Sequence, residues 1–192
     1  MNETNAKEKR RGLLHLLRSW LPLSLLFGGA SCASTTLAPP PEVVPYVDLQ
    51  RYTGTWYEIA RFPNRFQKDC FGSTATYSLQ PDGKIAVVNR CRKNGPDGPL
   101  SSVSGTARVV DPRTNAKLKV TFFWPFSGDY WIVDLGEQYD YAVVSGPDRK
   151  YLWVLGRTPS MEPERYRAVV TSLRNRGFDV SRLVESTSEG RR

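Results

Sequence analysis

Between Thr53 and Arg157 the chain repeats one pattern: short runs of alternating apolar and polar residues, cut by turn residues about every ten positions. The runs occupy 55–61, 73–79, 84–89, 102–110, 116–123, 130–135, 141–145 and 151–157. The breaks are carried by Pro63-Asn64, Pro81-Asp82-Gly83, the stretch from Asn94 to Pro99, Asp111-Pro112, the stretch from Pro125 to Asp129, Gly136-Glu137 and Gly146-Pro147-Asp148. Alternation with a period of two buries one face of a strand. Eight such strands joined by hairpins predict an all-β fold, an eight-stranded up-and-down antiparallel β-barrel, because closing the meander removes both exposed edges.

The period changes after Thr158. Ser160 is placed to cap a helix, and Glu162 and Glu164 fall where the first turn favours acids. Tyr166, Val169, Val170 and Leu173 form one stripe at helical spacing, expected to pack on the outside of the barrel. Arg174 and Arg176 occupy the last turn, and Gly177 suits the left-handed position beyond it. Phe178-Asp179-Val180 reads as a short final strand, with a loose polar tail from Glu185.

Residues 1–31 are ordered like an export signal, with basic Lys7, Lys9, Arg10 and Arg11, an apolar run from Leu13 to Phe27, and then small residues. The cleanest part of that run, 20–27, is far shorter than the roughly 20 residues of a membrane span. Two processing routes fit. The small residues before Cys32 resemble a bacterial lipobox, which would acylate that cysteine, although Gly29 stands where leucine is usual. Cleavage after Ala30 or Ala33 by the small-x-small rule is the other. The first route implies a lipid-anchored protein on the periplasmic face of the outer membrane, the second a soluble periplasmic or secreted one. Residues 32–45 are expected to be a flexible tether stiffened at Pro39-Pro40-Pro41, with the domain at 46–184 and the tail at 185–192.

Composition narrows the chemistry. His15, in the leader, is the only histidine. The expected domain therefore holds no Ser-His-Asp triad, no Cys-His dyad and no histidine metal or haem site, and neither metal nor cofactor is expected. Removing 1–31 leaves 22 Lys and Arg against 17 Asp and Glu, a net charge of +5. With no basic run, this excess predicts a solvated surface mildly attracted to anionic headgroups, not nucleic-acid binding. If Cys32 is lipidated, Cys70 and Cys91 remain. A hairpin turning at Gln80-Pro81-Asp82-Gly83 pairs residues whose numbers sum to roughly 163. Cys70 and Cys91 sum to 161, which brings them together at its far end. A disulfide is expected there, with two separate buried thiols as the alternative.

Three segments together carry a family resemblance. The stretch from Tyr52 to Phe62 contains Gly54 and Trp56 as a Gly-x-Trp motif. A second stretch runs from Tyr139 to Val144, and a third from Tyr151 to Pro159 includes Arg157. In this order and spacing, ahead of a helix, they resemble the lipocalin family and its bacterial members related to apolipoprotein D. The resemblance implies that Trp56 plugs the closed end of the barrel under the guanidinium of Arg157. Independently, Gly54 allows a turn or a close approach that a Cβ would block.

An eight-stranded barrel holds one small ligand. Lys117, Lys119 and Thr121 belong outside, so Leu118, Val120 and Phe122 face inward. Tyr151, Trp153 and Leu155 share one face by parity; Ala75, Tyr77, Tyr130 and Ile132 resemble inward positions of the family. The expected site is an apolar, aromatic cup lined by Ala75, Tyr77, Val120, Phe122, Tyr130, Ile132, Tyr151 and Trp153, with no inward charged pair. It would bind or carry a fatty acid, lysophospholipid or similar lipid. A lipocalin-fold enzyme using a free thiolate at Cys70 or Cys91, and a barrel plugged by its own side chains, are the alternatives. The aromatic segment from Trp124 to Tyr130 fits a lid, a membrane-facing patch, a contact between two copies, or a loop packed on itself.

Overall fold

The structure, a computed structural model, describes residues 39–186. The leader, Cys32, the first part of the expected tether and the tail from 187 lie outside the described residues. One turn of helix, α1 (Leu49–Tyr52), precedes eight strands: β1 (Gly54–Arg61), β2 (Cys70–Leu79), β3 (Ile85–Lys93), β4 (Leu100–Val109), β5 (Lys117–Phe123), β6 (Phe126–Leu135), β7 (Tyr141–Ser145) and β8 (Leu152–Gly156). Each pairs antiparallel with the next, and β1 pairs with both β2 and β8, which closes the barrel. Helix α2 (Pro163–Asn175) follows, then a two-residue strand β9 (Val184–Glu185).

Two apolar clusters divide the domain. Inside the barrel lie Trp56, Tyr77, Ile85, Val87, Leu118, Ile132, Val144 and Leu155. Outside, Val169 and Leu173 of α2 pack with Val133, Val143, Val154 and Phe178 over one wall. Strand alternation explains the split: Val143 and Val154 face the helix while their neighbours Val144 and Leu155 face the lumen. Helix α2 ends as its sequence indicates. Gly177 takes φ +77°, its N–H donates to Arg174 O at 3.0 Å, and Phe178 N–H donates to Leu173 O at 3.0 Å, the paired bonds of a glycine C-cap.

Several local expectations are corrected. Ser160 lies outside α2 and does not cap it; Pro163 begins the helix, supplying a preset φ and no N–H in need of an acceptor. Phe178-Asp179-Val180 is not a strand: Asp179 caps a single 3-10 turn, and the strand comes later, where β9 pairs with Ala60 and Arg61. Glu185 and Ser186 are thus tied down, with Ser186 N–H donating to Ile59 O at 2.8 Å. The break expected over 125–129 is shorter, because β6 already starts at Phe126 and Lys119 holds Asp129 across the ladder at 2.9 Å. Finally, 41–45 does not behave as tether. Pro41 is buried, Val43 and Val44 pack against the inner cluster, and Val44 N–H donates to Ile132 O at 3.0 Å.

Candidate functional site

One end of the barrel is sealed from the sequence upward. Trp56 is fully buried, and its indole N–H donates to Tyr52 O at 2.9 Å. The Arg157 guanidinium lies 3.7 Å from the centre of the Trp56 ring. It also donates to the carbonyls of Tyr139 (3.2 Å), Thr55 (3.2 Å) and Arg51 (2.7 Å), tying three segments together. Gly54 takes φ +93°, and a Cβ there would stand 3.3 Å from Arg157 Nη1, so a turn and a close approach coincide at one residue.

Above this plug three tyrosines meet. Tyr77 Oη donates to Tyr130 Oη at 2.9 Å, and the Tyr52 and Tyr130 hydroxyls share a hydrogen bond of 2.8 Å. Burial pushes the Tyr77 phenol up to about 12 and raises Tyr52 and Tyr130 as well, so all three are neutral at neutral pH.

The register then defines the lumen. Tyr77 pairs with Val87 and Ala75 with Asn89; Val87 and Asn89 pair in turn with Gly105 and Val103. Phe122 lies over Gly105, where a Cβ would come within 2.7 Å of its ring. Near the base Val87, Ala107, Leu118, Ile132 and Leu155 are buried. Higher up, Ala75, Asn89, Val103, Phe122 and Trp153 are only half-buried although they face the axis, and Tyr130 at the top of the triad is half-buried too. An inward side chain that keeps accessible surface borders space that a water molecule can enter. The barrel is therefore filled at its base and less tightly filled above it. A separate cleft of about 470 Å³ lies outside, between α2 and the wall, and is lined by polar groups such as Asp134, Glu164, Arg165 and Ser172.

The eight lining candidates divide accordingly. Ala75, Tyr77, Val120, Phe122, Tyr130, Ile132 and Trp153 belong to the inner cluster, with Tyr77, Val120 and Ile132 among its buried members. Tyr151 stands apart from that cluster, before the start of β8, where it stacks on Trp153 at 5.9 Å and packs on Phe66 at 5.8 Å. An inward charged pair is present, contrary to expectation. A bulge between Glu58 and Ala60 shifts the parity of β1, so that Arg61 pairs with Trp153 and its Nε lies 3.1 Å from Glu58 Oε1. Gln67 Nε2 and Ser186 Oγ also donate to the buried Glu58 carboxylate, and Trp153 Nε1 donates to Gln67 Oε1 at 2.7 Å. Strict alternation would not have found this cluster; a motif glutamate on the same face as Trp56 was its one trace. Cys70 and Cys91 form a disulfide with Cα atoms 5.4 Å apart, so neither is a thiolate nucleophile in this state.

The profile of the lipocalin-like domain family matches residues 47–188. The chain belongs to the lipocalin family. Among similar lipocalins, the outer membrane lipoprotein Blc of Escherichia coli K12 is 42% identical over 154 residues, covering 80% of this chain and 86% of Blc. Temperature-induced lipocalin-1 of Arabidopsis thaliana is 42% identical, covering 74% and 80%. Apolipoprotein D of Mus musculus is 34% identical, covering 76% and 79%. The crystal structure of insecticyanin from the tobacco hornworm Manduca sexta shares the fold, with a TM-score of 0.61 at 22% identity over 77% of this chain and 85% of that one.

Proposed function

We propose that this lipocalin binds and carries a single-chain lipid, a fatty acid or lysophospholipid, in the lumen above the tyrosine triad, without catalysing a reaction. The carrying observation is the line of inward, half-buried apolar and aromatic side chains above a sealed base. Such a cup selects by burial: each methylene removed from water contributes about 0.8 kcal/mol, with no chemistry demanded of the ligand. Ala75, Val120, Phe122, Tyr130 and Trp153 would contact the chain, and Tyr77 and Ile132 would form the floor. Tyr151 and the Glu58–Arg61 pair would lie nearer the polar headgroup. The similarity to proteins named outer membrane lipoproteins supports an anchored, periplasm-facing location with acylation at Cys32 after removal of 1–31.

The test is a chain-length series read by Trp153 fluorescence, with Trp153→Phe as the blank. Two extra methylenes should raise affinity about tenfold until the cavity is full, roughly 1.6 kcal/mol. Phe122→Asp, which puts an unpaired carboxylate in the cup, should abolish binding. No dependence on chain length would mean a plugged barrel. For the anchor, Cys32→Ser is expected to turn an attachment that needs detergent into one released by a salt wash.

A further inference from the structure

The loops at the end opposite the Trp56 plug carry an exposed apolar rim. Among the described residues, eight large apolar side chains are exposed, and five of them stand at this end. Phe66 belongs to the β1–β2 connection and Leu100 starts β4. Phe123, Trp124 and Phe126 form the β5–β6 turn and are 72, 88 and 78% exposed. Exposed apolar and aromatic side chains gathered at one end of a domain mark an interaction surface. The same end is basic: its loops carry Arg65, Lys68, Arg92 and Lys93 against Asp69 and Asp97, while Asp129 and Asp148 are already paired with Lys119 and Lys150. Exposed aromatic side chains beside loops rich in cations match the boundary between acyl chains and anionic headgroups.

We infer that this rim is a membrane-docking surface, inserting Phe123, Trp124 and Phe126 into an anionic bilayer so that the mouth of the lumen opens onto the lipids. The path of the chain supports that occupant over a second copy of the protein. Arg149, in the β7–β8 turn at the same end, donates from Nη1 to the carbonyl of Pro39, so the described chain enters beside the mouth. Cys32 lies seven residues upstream, a stretch that reaches no farther than about 25 Å. An acyl group there would attach through a short link that joins the barrel beside its mouth, close enough to keep the rim within reach of the membrane. Docking goes beyond the lumen reading and can fail separately from it.

The test uses the full chain with Cys32→Ser, which removes the anchor, and vesicles of phosphatidylethanolamine with about a quarter phosphatidylglycerol. Vesicles should bind the parent and shift Trp124 emission to the blue. Brominated acyl chains should quench a component that Trp124→Phe lacks. Phe123→Ser/Trp124→Ser/Phe126→Ser should weaken vesicle binding roughly tenfold or more, while fatty-acid binding in solution, read at Trp153, stays unchanged. Equal vesicle binding by parent and triple variant overturns the inference. So does a parent that ignores vesicles but forms a dimer that the triple variant breaks, since the face would then belong to a second copy. If the triple variant fails to fold, the quenching experiment decides alone, and an unquenched Trp124 overturns the inference.

Discussion

At the scale of single residues, the closed end depends on three side-chain positions that constrain one another. Gly54 leaves room for Arg157, Arg157 covers Trp56, and Trp56 fills the bottom of the barrel. The guanidinium is half in water, so its worth lies less in charge than in three carbonyls and one ring held together. Arg157→Ala is expected to cost about 1–3 kcal/mol of stability. Thermal unfolding checks this, with a fall in Tm of roughly 2–4 °C per kcal/mol for a domain of this size. Lipid affinity should be nearly unaffected, because the plug separates Arg157 from the lumen. A large affinity loss at unchanged Tm would place Arg157 in the ligand site instead.

At the scale of elements, the β2–β3 hairpin shows how far local arithmetic reaches. The observed pairs sum to 164 near the turn, as in Tyr77 with Val87, and to 163 beyond a bulge, as in Cys70 with Lys93. Cys91 is thereby brought diagonally opposite Cys70, close enough for the bridge. The bridge spans a sequence separation of 21 and should contribute about 3 kcal/mol, mainly by restricting the unfolded chain. Under oxidising conditions Cys70→Ser is expected to lower the urea midpoint by a corresponding amount, with the lumen intact. An unchanged midpoint would make the bridge energetically irrelevant. Strand β9 has no such local signature. It forms because β2 leaves β1 after Tyr57, which frees the edge at Ala60 and Arg61 for the returning chain.

At the scale of the whole molecule, three phenols brought together from α1, β2 and β6 tie the interior to pH. Burial raises the Tyr77 pKa to about 12, against about 10 for an unfolded tyrosine. Both states hold the proton below pH 10, so the stabilisation is fully present there. Between about pH 10 and 12 the unfolded chain ionises while the folded one does not, and stability is lost as pH rises. For Tyr77 alone this amounts to about 3 kcal/mol across the window. Urea unfolding at a series of alkaline pH values should show that decline, with a shallower slope for Tyr77→Phe. Identical slopes would mean that Tyr77 titrates as if exposed.

What the sequence alone determined is the set of properties carried by neighbours along the chain. The eight strands follow from period-two alternation, the helix from its apolar stripe and Gly177, and the disulfide from a turn and a count. The inward face of β5 also follows, because Lys117 and Lys119 resist burial and fix the parity of a short, regular strand. Tertiary structure decided what depends on two or more strands at once. The bulge that turns Arg61 toward Glu58 is set by the register between β1 and β8, and no residue in β1 announces it. How closely the lumen is filled depends on the barrel's radius and on where side chains from opposite walls meet. The tyrosines meet near the base, and Gly105 makes room for the Phe122 ring. Packing against the inner cluster likewise turned 41–45 from spacer into structure, because Val43 and Val44 found apolar surface that only the closed barrel presents.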